Sequence, residues 1–169
     1  MAMMRNRIKG LQSIRAGDLR PNPRNWRTHP APQQAALQAV LEEVGIAGAL
    51  IARETADGFE LIDGHLRADT DPDQEWPVLV LDVDEAEADK LLATLDPLAA
   101  MAGADAGVLD DLLRSIETDS EGLQKMLDDL AAQEGITPPD FQPVDESTQG
   151  RLDEKNPTTC PECGHEFTT

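Results

Sequence analysis

The chain has 169 residues, enough for one domain with a hydrophobic core and additional segments. It contains no tyrosine, three phenylalanines and two tryptophans, so its core must be built mainly from aliphatic side chains and methionine. The formal net charge of −19 opposes long-range attraction to DNA, and no apolar run approaches the ~18–20 residues of a membrane helix, so we expect a cytoplasmic protein without a membrane partner.

The first hundred residues carry the pattern of a small α+β domain. Residues 20–32 contain four prolines, which exclude a helix or a central strand and predict an ordered loop. Residues 33–44 have apolar side chains at helical spacing, and Gly45 is placed to end that helix. The predicted strands, of which the second and third are joined by a hairpin turn, are residues 8–15, 49–53, 59–62 and 76–83.

Beyond residue 84 the sequence becomes acidic and helical. Asp84 is a candidate N-cap for a helix over residues 85–95, and Pro97 predicts a break or a kink after it. Two further amphipathic helices and a linker rich in Pro, Asp and Ser are predicted at residues 107–116, 120–133 and 134–158.

The charge is distributed unevenly along the chain. Residues 1–30 have a net charge of +6, whereas residues 31–146 have a net charge of −23. Any nucleic acid contact is therefore expected to be weak, strongly salt-sensitive and confined to residues 5–27 or Arg67. The acidic half is either a solvated helical surface or a docking surface for a basic protein partner.

The most informative stretch is the strand that ends in Asp63-Gly64 and is followed by His65-Leu66-Arg67. A glycine after a strand permits a sharp turn, a helix start offers N–H groups to an anion, and arginine supplies a planar fork for phosphate. These residues predict a nucleotide or phosphate site formed by Gly64, His65 and Arg67. The alternative is an ordinary strand-to-helix turn whose arginine pairs with Asp63 or Asp69.

Further candidates for the same site come from His65 itself and from the proline-rich loop. His65, whose unperturbed pKa would lie near neutrality, is the candidate catalytic base or a phosphate ligand, and the alternative is an exposed turn residue. Arg24, Asn25 and Arg27 either close over the same ligand or form a basic surface loop.

The C-terminal segment Cys160-Pro-Glu-Cys163-Gly-His165 has the spacing of half a zinc knuckle. Two cysteines supply only two of the four ligands that a structural zinc site needs. His165, a second copy of the chain in a homodimer, or another partner could complete the site, or Cys160 and Cys163 could remain without zinc.

These elements together resemble the N-terminal domain of the ParB and sulfiredoxin superfamily between about Ile14 and Leu98. Residues 22–27 (Asn-Pro-Arg-Asn-Trp-Arg) resemble that family's Asn-Pro loop, and Asp63–Arg67 occupies the place of its Gly-x-x-Arg signature. The remaining matches are to the family's helix end, second strand and later strand-to-helix segment, at residues 44–46, 50–53 and 78–86.

The resemblance implies an α+β fold with a small mixed sheet and helices, and it implies nucleotide handling. ParB proteins bind and hydrolyse CTP and clamp DNA, sulfiredoxins use ATP to repair a sulfinic cysteine, and other relatives are free-serine kinases or nucleases. The place of the sulfiredoxin cysteine is taken by His65, and the domain has no cysteine, which excludes sulfinic reductase chemistry. Gly-His-Leu-Arg also departs from the Gly-Glu-Arg-Arg of ParB, and the acidic residues after 98 do not suit a DNA-reading helix-turn-helix.

In these departures the chain resembles stand-alone ParB-like proteins of phages and mobile elements, some of which neighbour or fuse to DNA methyltransferases. We therefore expect a nucleotide- or phosphate-binding module of DNA metabolism that takes a nucleoside triphosphate with Mg²⁺, hydrolyses it slowly, and works with a DNA-modifying or other DNA-metabolism protein. Two alternatives stay open: a nuclease or small-molecule kinase that uses His65, and a non-enzymatic adaptor that binds a protein through its acidic helices.

The predicted organisation has four parts. A ParB/sulfiredoxin-like domain over residues 8–98 is followed by an acidic helical extension over 99–134, a flexible linker over 135–158 and the half zinc knuckle over 159–169.

Overall fold

The structure is a computed structural model that describes residues 3–136 and, in the C-terminal segment, residues 158–159, 163 and 166–167. The chain divides into two compact units, Met1–Thr137 and Pro138–Thr169. In the second unit, the short strands β6 (Thr158–Thr159) and β7 (Glu166–Phe167) pair antiparallel. Most of the predicted linker and Cys160 lie outside the described residues.

The first unit is built on a five-stranded sheet. The strands are β1 Ile8–Arg15, β2 Leu19–Arg20, β3 Leu50–Thr55, β4 Gly58–Asp63 and β5 Glu75–Leu81. They lie in the order β1-β5-β3-β4-β2, where the pairs β1–β5 and β3–β4 are antiparallel and the pairs β5–β3 and β4–β2 are parallel. This arrangement confirms the predicted α+β class with a small mixed sheet.

The helices follow the predicted order, with two differences at prolines. They are α1 Ala31–Glu43, α2 His65–Ala68, α3 Glu85–Ala100, α4 Ala106–Ser115 and α5 Glu121–Gln133. Helix α1 begins two residues before its predicted start, because Pro32 lies in the first turn, where its missing N–H is not needed. Pro97 does not end α3: it forfeits one backbone hydrogen bond, and the bond from Met101 N–H to the Pro97 carbonyl (3.1 Å) continues the helix.

The predicted N-cap at Asp84 is confirmed. The Asp84 carboxylate accepts from the Glu87 N–H at 2.8 Å, and the Glu87 carboxylate accepts from the Asp84 N–H at 3.1 Å, so the two residues form a capping box. Glu87 also accepts two hydrogen bonds from Arg7, and these contacts lower its pKa to about 2. The start of α3 is therefore held to the strip that leads into β1.

The core is aliphatic, as the composition requires. Leu50 of β3 and Val78 and Val80 of β5 are completely buried on one face of the sheet, with Trp76 beside them. Leu41 of α1 packs against this cluster. Among the described residues, no helix is long and apolar enough to cross a membrane.

Helix α5 returns to pack on α1. Leu123 is buried, and a Cβ added at Gly122 would lie 3.3 Å from the Cβ of Ala35, so the two helices approach closely at that glycine. The acidic helical segment is thus part of the first compact unit, while the domain boundaries proposed from the sequence stay predictions.

Candidate functional site

A cavity of about 500 Å³ opens beside the end of β4. Its walls come from the proline-rich loop, the first half of α1, the β4–α2 turn and the second half of α3. The lining residues are Asn25, Arg27, His29, Gln33, Leu37, Ile62, Asp63, Gly64, His65, Leu66, Arg67, Leu92, Leu95, Asp96, Ala99 and Ala100. Five of the six predicted site residues therefore line one cavity, and Arg24 is the exception.

The turn between β4 and α2 requires glycine at residue 64. Its backbone is left-handed, with φ of 94°, and a Cβ there would stand 2.4 Å from Cδ2 of Leu50, a fully buried residue. Both conditions exclude a side chain. The tight turn also brings the backbone of α2 to the cavity wall, although α2 itself is a single turn of four residues.

Arg67 faces the turn that Gly64 makes. Its guanidinium donates to the Asp63 carboxylate at 2.9 Å and to the Ala49 carbonyl at 3.3 Å, and a quarter of the side chain is exposed. The sequence left a choice between a phosphate ligand and an ion pair with Asp63. The structure shows the ion pair, and it also leaves the guanidinium on the wall of the cavity.

Arg27 is the second arginine that lines the cavity. Its guanidinium lies over the Trp26 ring, 4.5 Å from the centroid, and 2.6 Å from the Asp96 carboxylate of α3. The backbone N–H of Arg27 donates to Oδ1 of Asn25 at 3.2 Å. Arg24 instead pairs with Asp89 on α3 and does not line the cavity.

His65 is buried, with only 8% of its surface exposed. Its Nε2 accepts a hydrogen bond from the backbone N–H of Asn22 at 3.2 Å, so the neutral ring carries its proton on Nδ1. A general base needs a free lone pair, and here that lone pair is engaged. Asn22 is also buried, and its side chain accepts from the Arg24 N–H, so His65 anchors the proline-rich loop.

Burial lowers the pKa of His65 below its usual 6.5, against the smaller opposing effect of the Asp69 and Asp63 carboxylates. As pH falls below about 6.5, His65 therefore becomes protonated in the unfolded chain while it stays neutral in the folded protein. The contribution of His65 to the free energy of unfolding should therefore decrease as pH falls below about 6.5. His65→Gln, which retains an acceptor for the Asn22 N–H, should show a shallower decrease when both proteins are unfolded with urea from about pH 7.5 to about pH 5. Identical pH slopes would contradict the assignment.

The basic N-terminal strip is neutralised within the fold. Each Arg and Lys between residues 5 and 27 lies within 4.0 Å of a carboxylate, and four of them reach α3. The partners on α3 are Glu87 for Arg5 and Arg7, Asp89 for Arg24 and Asp96 for Arg27. The Arg and Lys side chains that the sequence suggested for contact with nucleic acid are therefore already paired with carboxylates.

The predicted zinc site falls mostly beyond the described structure. Cys163 is exposed and forms no disulfide, whereas Cys160 and His165 lie outside the described residues. Within the described part of the chain, no cluster of three or more His, Cys, Asp or Glu side chains could hold a metal ion. Zinc binding by Cys160 and Cys163 stays a prediction.

Sequence reasoning missed the part of the site that α3 contributes. Asp96, Leu92 and Leu95 line the cavity although they are about thirty residues from the Gly64 turn. The role of Asn22 as the partner of His65 was also missed, although the Asn-Pro pair at its position was noticed.

Comparison with known proteins shows the fold. No protein-family model and no curated protein matches the chain. The C-terminally truncated chromosome-partitioning protein ParB from Caulobacter crescentus, complexed with CTP-γ-S, is similar with a TM-score of 0.51 and 16% identity, over 76% of this chain and 72% of that one. A Pnob8-like ParB-N domain gives a TM-score of 0.44 at 16% identity, over 94% of this chain and 56% of that one. The same Caulobacter protein complexed to the centromeric parS site gives 0.40 at 16% identity, over 76% and 73%. The similarity with a TM-score of 0.51 shows that the chain has a ParB-like fold.

Proposed function

We propose that the cavity beside Gly64 binds a nucleoside triphosphate and that the protein is a ParB-like nucleotide-binding module of DNA metabolism. The observation that carries the proposal is the convergence of Arg67 and Arg27 on one cavity whose turn admits only glycine. Guanidinium groups recognise phosphate oxygens through paired, charge-assisted hydrogen bonds. The structural neighbour of highest TM-score reported above was crystallised with CTP-γ-S, which makes CTP the first nucleotide to test.

The charges in the cavity set a condition on the ligand. Two arginines and two aspartates line it, so its formal charge is balanced with histidine neutral, and each arginine already has a carboxylate partner. A phosphate group must take over those guanidinium contacts and leave Asp63 and Asp96 facing negative charge. Carboxylate oxygens are ligands that Mg²⁺ accepts, and the ion would offset this repulsion. Binding should therefore depend on Mg²⁺.

Slow hydrolysis fits the site better than rapid turnover. The acceptor nitrogen of His65 is engaged by Asn22, so the ring offers no free lone pair to activate water. The same engagement argues against the alternatives in which His65 is the base of a nuclease or kinase. Plasmid nicking with and without divalent metal separates the nuclease alternative from nucleotide binding.

The test is to compare ligand-induced stabilisation and calorimetric affinity for CTP, CTP-γ-S, ATP and GTP, each with and without Mg²⁺. Arg67→Ala should weaken nucleotide binding by about 1–3 kcal/mol, the contribution of charge-assisted hydrogen bonds. Arg15→Ala is the matched control, because Arg15 forms exposed ion pairs with Asp18 and Asp73 and does not line the cavity. Equal stabilisation of the parent and Arg67→Ala by every nucleotide would refute the assignment.

A further inference from the structure

Helix α4 is the least buried helix of the first unit. None of its residues is buried, and Val108 and Leu112, four positions apart on one side, are 67% and 54% exposed. Ile116, the next residue at that spacing and the C-cap of the helix, is 38% exposed. Leu109 and Leu113, on the adjacent side, are half-buried. Helix α4 therefore rests on the unit by one apolar side and leaves a second apolar stripe, Val108–Leu112–Ile116, open.

This stripe is more than scattered surface apolar residues. Isolated helices of about ten residues are marginal in water, so α4 depends on tertiary contacts for its stability. Exposed apolar side chains that follow one another along a single helix face mark an interaction site more often than apolar residues exposed singly do. The stripe has the i, i+4, i+8 spacing by which helices pack against helices.

The segment of the chain that contains the stripe is strongly acidic. Residues 105–134 contain nine acidic and two basic residues. Both basic residues are already paired within their own helices, Arg114 with Asp110 and Lys125 with Asp129, each at 3.0 Å. In the described part of the chain, no Lys or Arg lies within ion-pair distance of Asp111 or Glu117, which are the sequence neighbours of Leu112 and Ile116. The negative charge around the stripe is thus in excess.

We propose that the Val108–Leu112–Ile116 stripe binds a basic amphipathic helix of a partner protein. The apolar residues of that helix would cover the stripe and its Lys and Arg side chains would meet the acidic surroundings. A second copy of the chain would bring two acidic segments together, and an anionic lipid surface would be repelled in the same way. Residues 137–169 of the same chain have a net charge of −5, so their charge does not complement that of residues 105–134. This site is independent of the proposed nucleotide cavity.

The experiment measures binding of a fluorescent helical peptide to the full chain by anisotropy. The probe is a Lys/Leu peptide with leucines on one helical face, compared with a scrambled peptide of the same composition and with a Glu/Leu version. The Lys/Leu peptide should bind more tightly than both, and Leu112→Lys should weaken it by about tenfold or more. Leu11→Lys is the matched control, because Leu11 is 64% exposed on β1, and it should bind as the parent does. Asp111→Lys should weaken binding mainly at low salt.

Several outcomes would overturn the proposal. Equal binding of the ordered and scrambled peptides would show non-specific charge attraction only, and unchanged binding by Leu112→Lys, with its thermal unfolding intact, would exclude the stripe. A parent that sediments as a dimer and becomes a monomer on Leu112→Lys would assign the stripe to a second copy. Binding to vesicles of anionic phospholipid that Leu112→Lys abolishes would assign it to a membrane.

Discussion

Gly64→Ala is expected to lower the free energy of unfolding by about 3 kcal/mol. Two costs combine at this position. A non-glycine residue held at φ of 94° loses about 1 kcal/mol to steric strain, and a Cβ placed 2.4 Å from Leu50 Cδ2 adds an overpacking cost of about 1–3 kcal/mol. Leu50 is fully buried among β-strand side chains, so it cannot move aside without disturbing the core. Urea unfolding monitored by circular dichroism measures the difference.

Gly45→Ala separates the two costs. Gly45 has φ of 87°, close to that of Gly64, yet nothing lies within 4 Å of a Cβ built there. The control should therefore lose only the backbone contribution, about 1 kcal/mol. If the two variants were equally destabilised, the contact with Leu50 would not determine the identity of residue 64.

The local features of the fold could be predicted because they depend on neighbouring residues. The cap at Asp84 depends only on Asp84 and Glu87, which are three residues apart. Gly64 before His65 indicates a left-handed backbone conformation, which few other residues adopt. The strong β5 pattern arises because Trp76, Val78 and Val80 alternate with half-buried residues. The continuation of α3 through Pro97 to Ala100 departs from the local rule that a proline ends or kinks a helix.

The shape and charge of the site could not be predicted in the same way, because they depend on residues that are distant in sequence. The pair between Arg67 and the nearby Asp63 could be proposed from the sequence, but the second partner of Arg67, the Ala49 carbonyl just before β3, could not. His65 reads in the sequence as a candidate base, but the fold buries it against Asn22 and occupies its lone pair. The N-terminal strip is basic in the sequence, yet α3 places Glu87, Asp89 and Asp96 beside its arginines.

This internal pairing connects the fold to the proposed function. Because α3 carboxylates pair with four arginines of the strip and loop, Arg5, Arg7, Arg24 and Arg27, an anion competes with the protein's own side chains for each of these four. Among the ion pairs with α3, the pair of Arg27 with Asp96 lines the cavity. A ligand phosphate at Arg27 would therefore displace a contact between the proline-rich loop and α3. The expected weak attraction for duplex DNA and the proposed dependence of nucleotide binding on Mg²⁺ would then both follow from the same charge balance.

The second large effect is expected at the ion pair between Arg53 and Glu60, which face each other across β3 and β4. Arg53 Nε donates to the Glu60 carboxylate at 2.8 Å, and the side chains are 16% and 9% exposed. Arg53→Met would leave the Glu60 charge nearly buried without its partner, which should cost about 3 kcal/mol of unfolding free energy.

Two comparisons make the ion-pair prediction specific to burial. Lys9→Met breaks the pair with Glu54, whose side chains are about half exposed, and should change stability by only about 0.5 kcal/mol. The double variant Arg53→Met with Glu60→Leu removes both charges and should recover most of the loss, because it is the unpaired charge and not the absence of an ion pair that destabilises the sheet. If Arg53→Met cost no more than Lys9→Met in urea unfolding, or if the double variant recovered nothing, burial of the Glu60 charge would not be the cause.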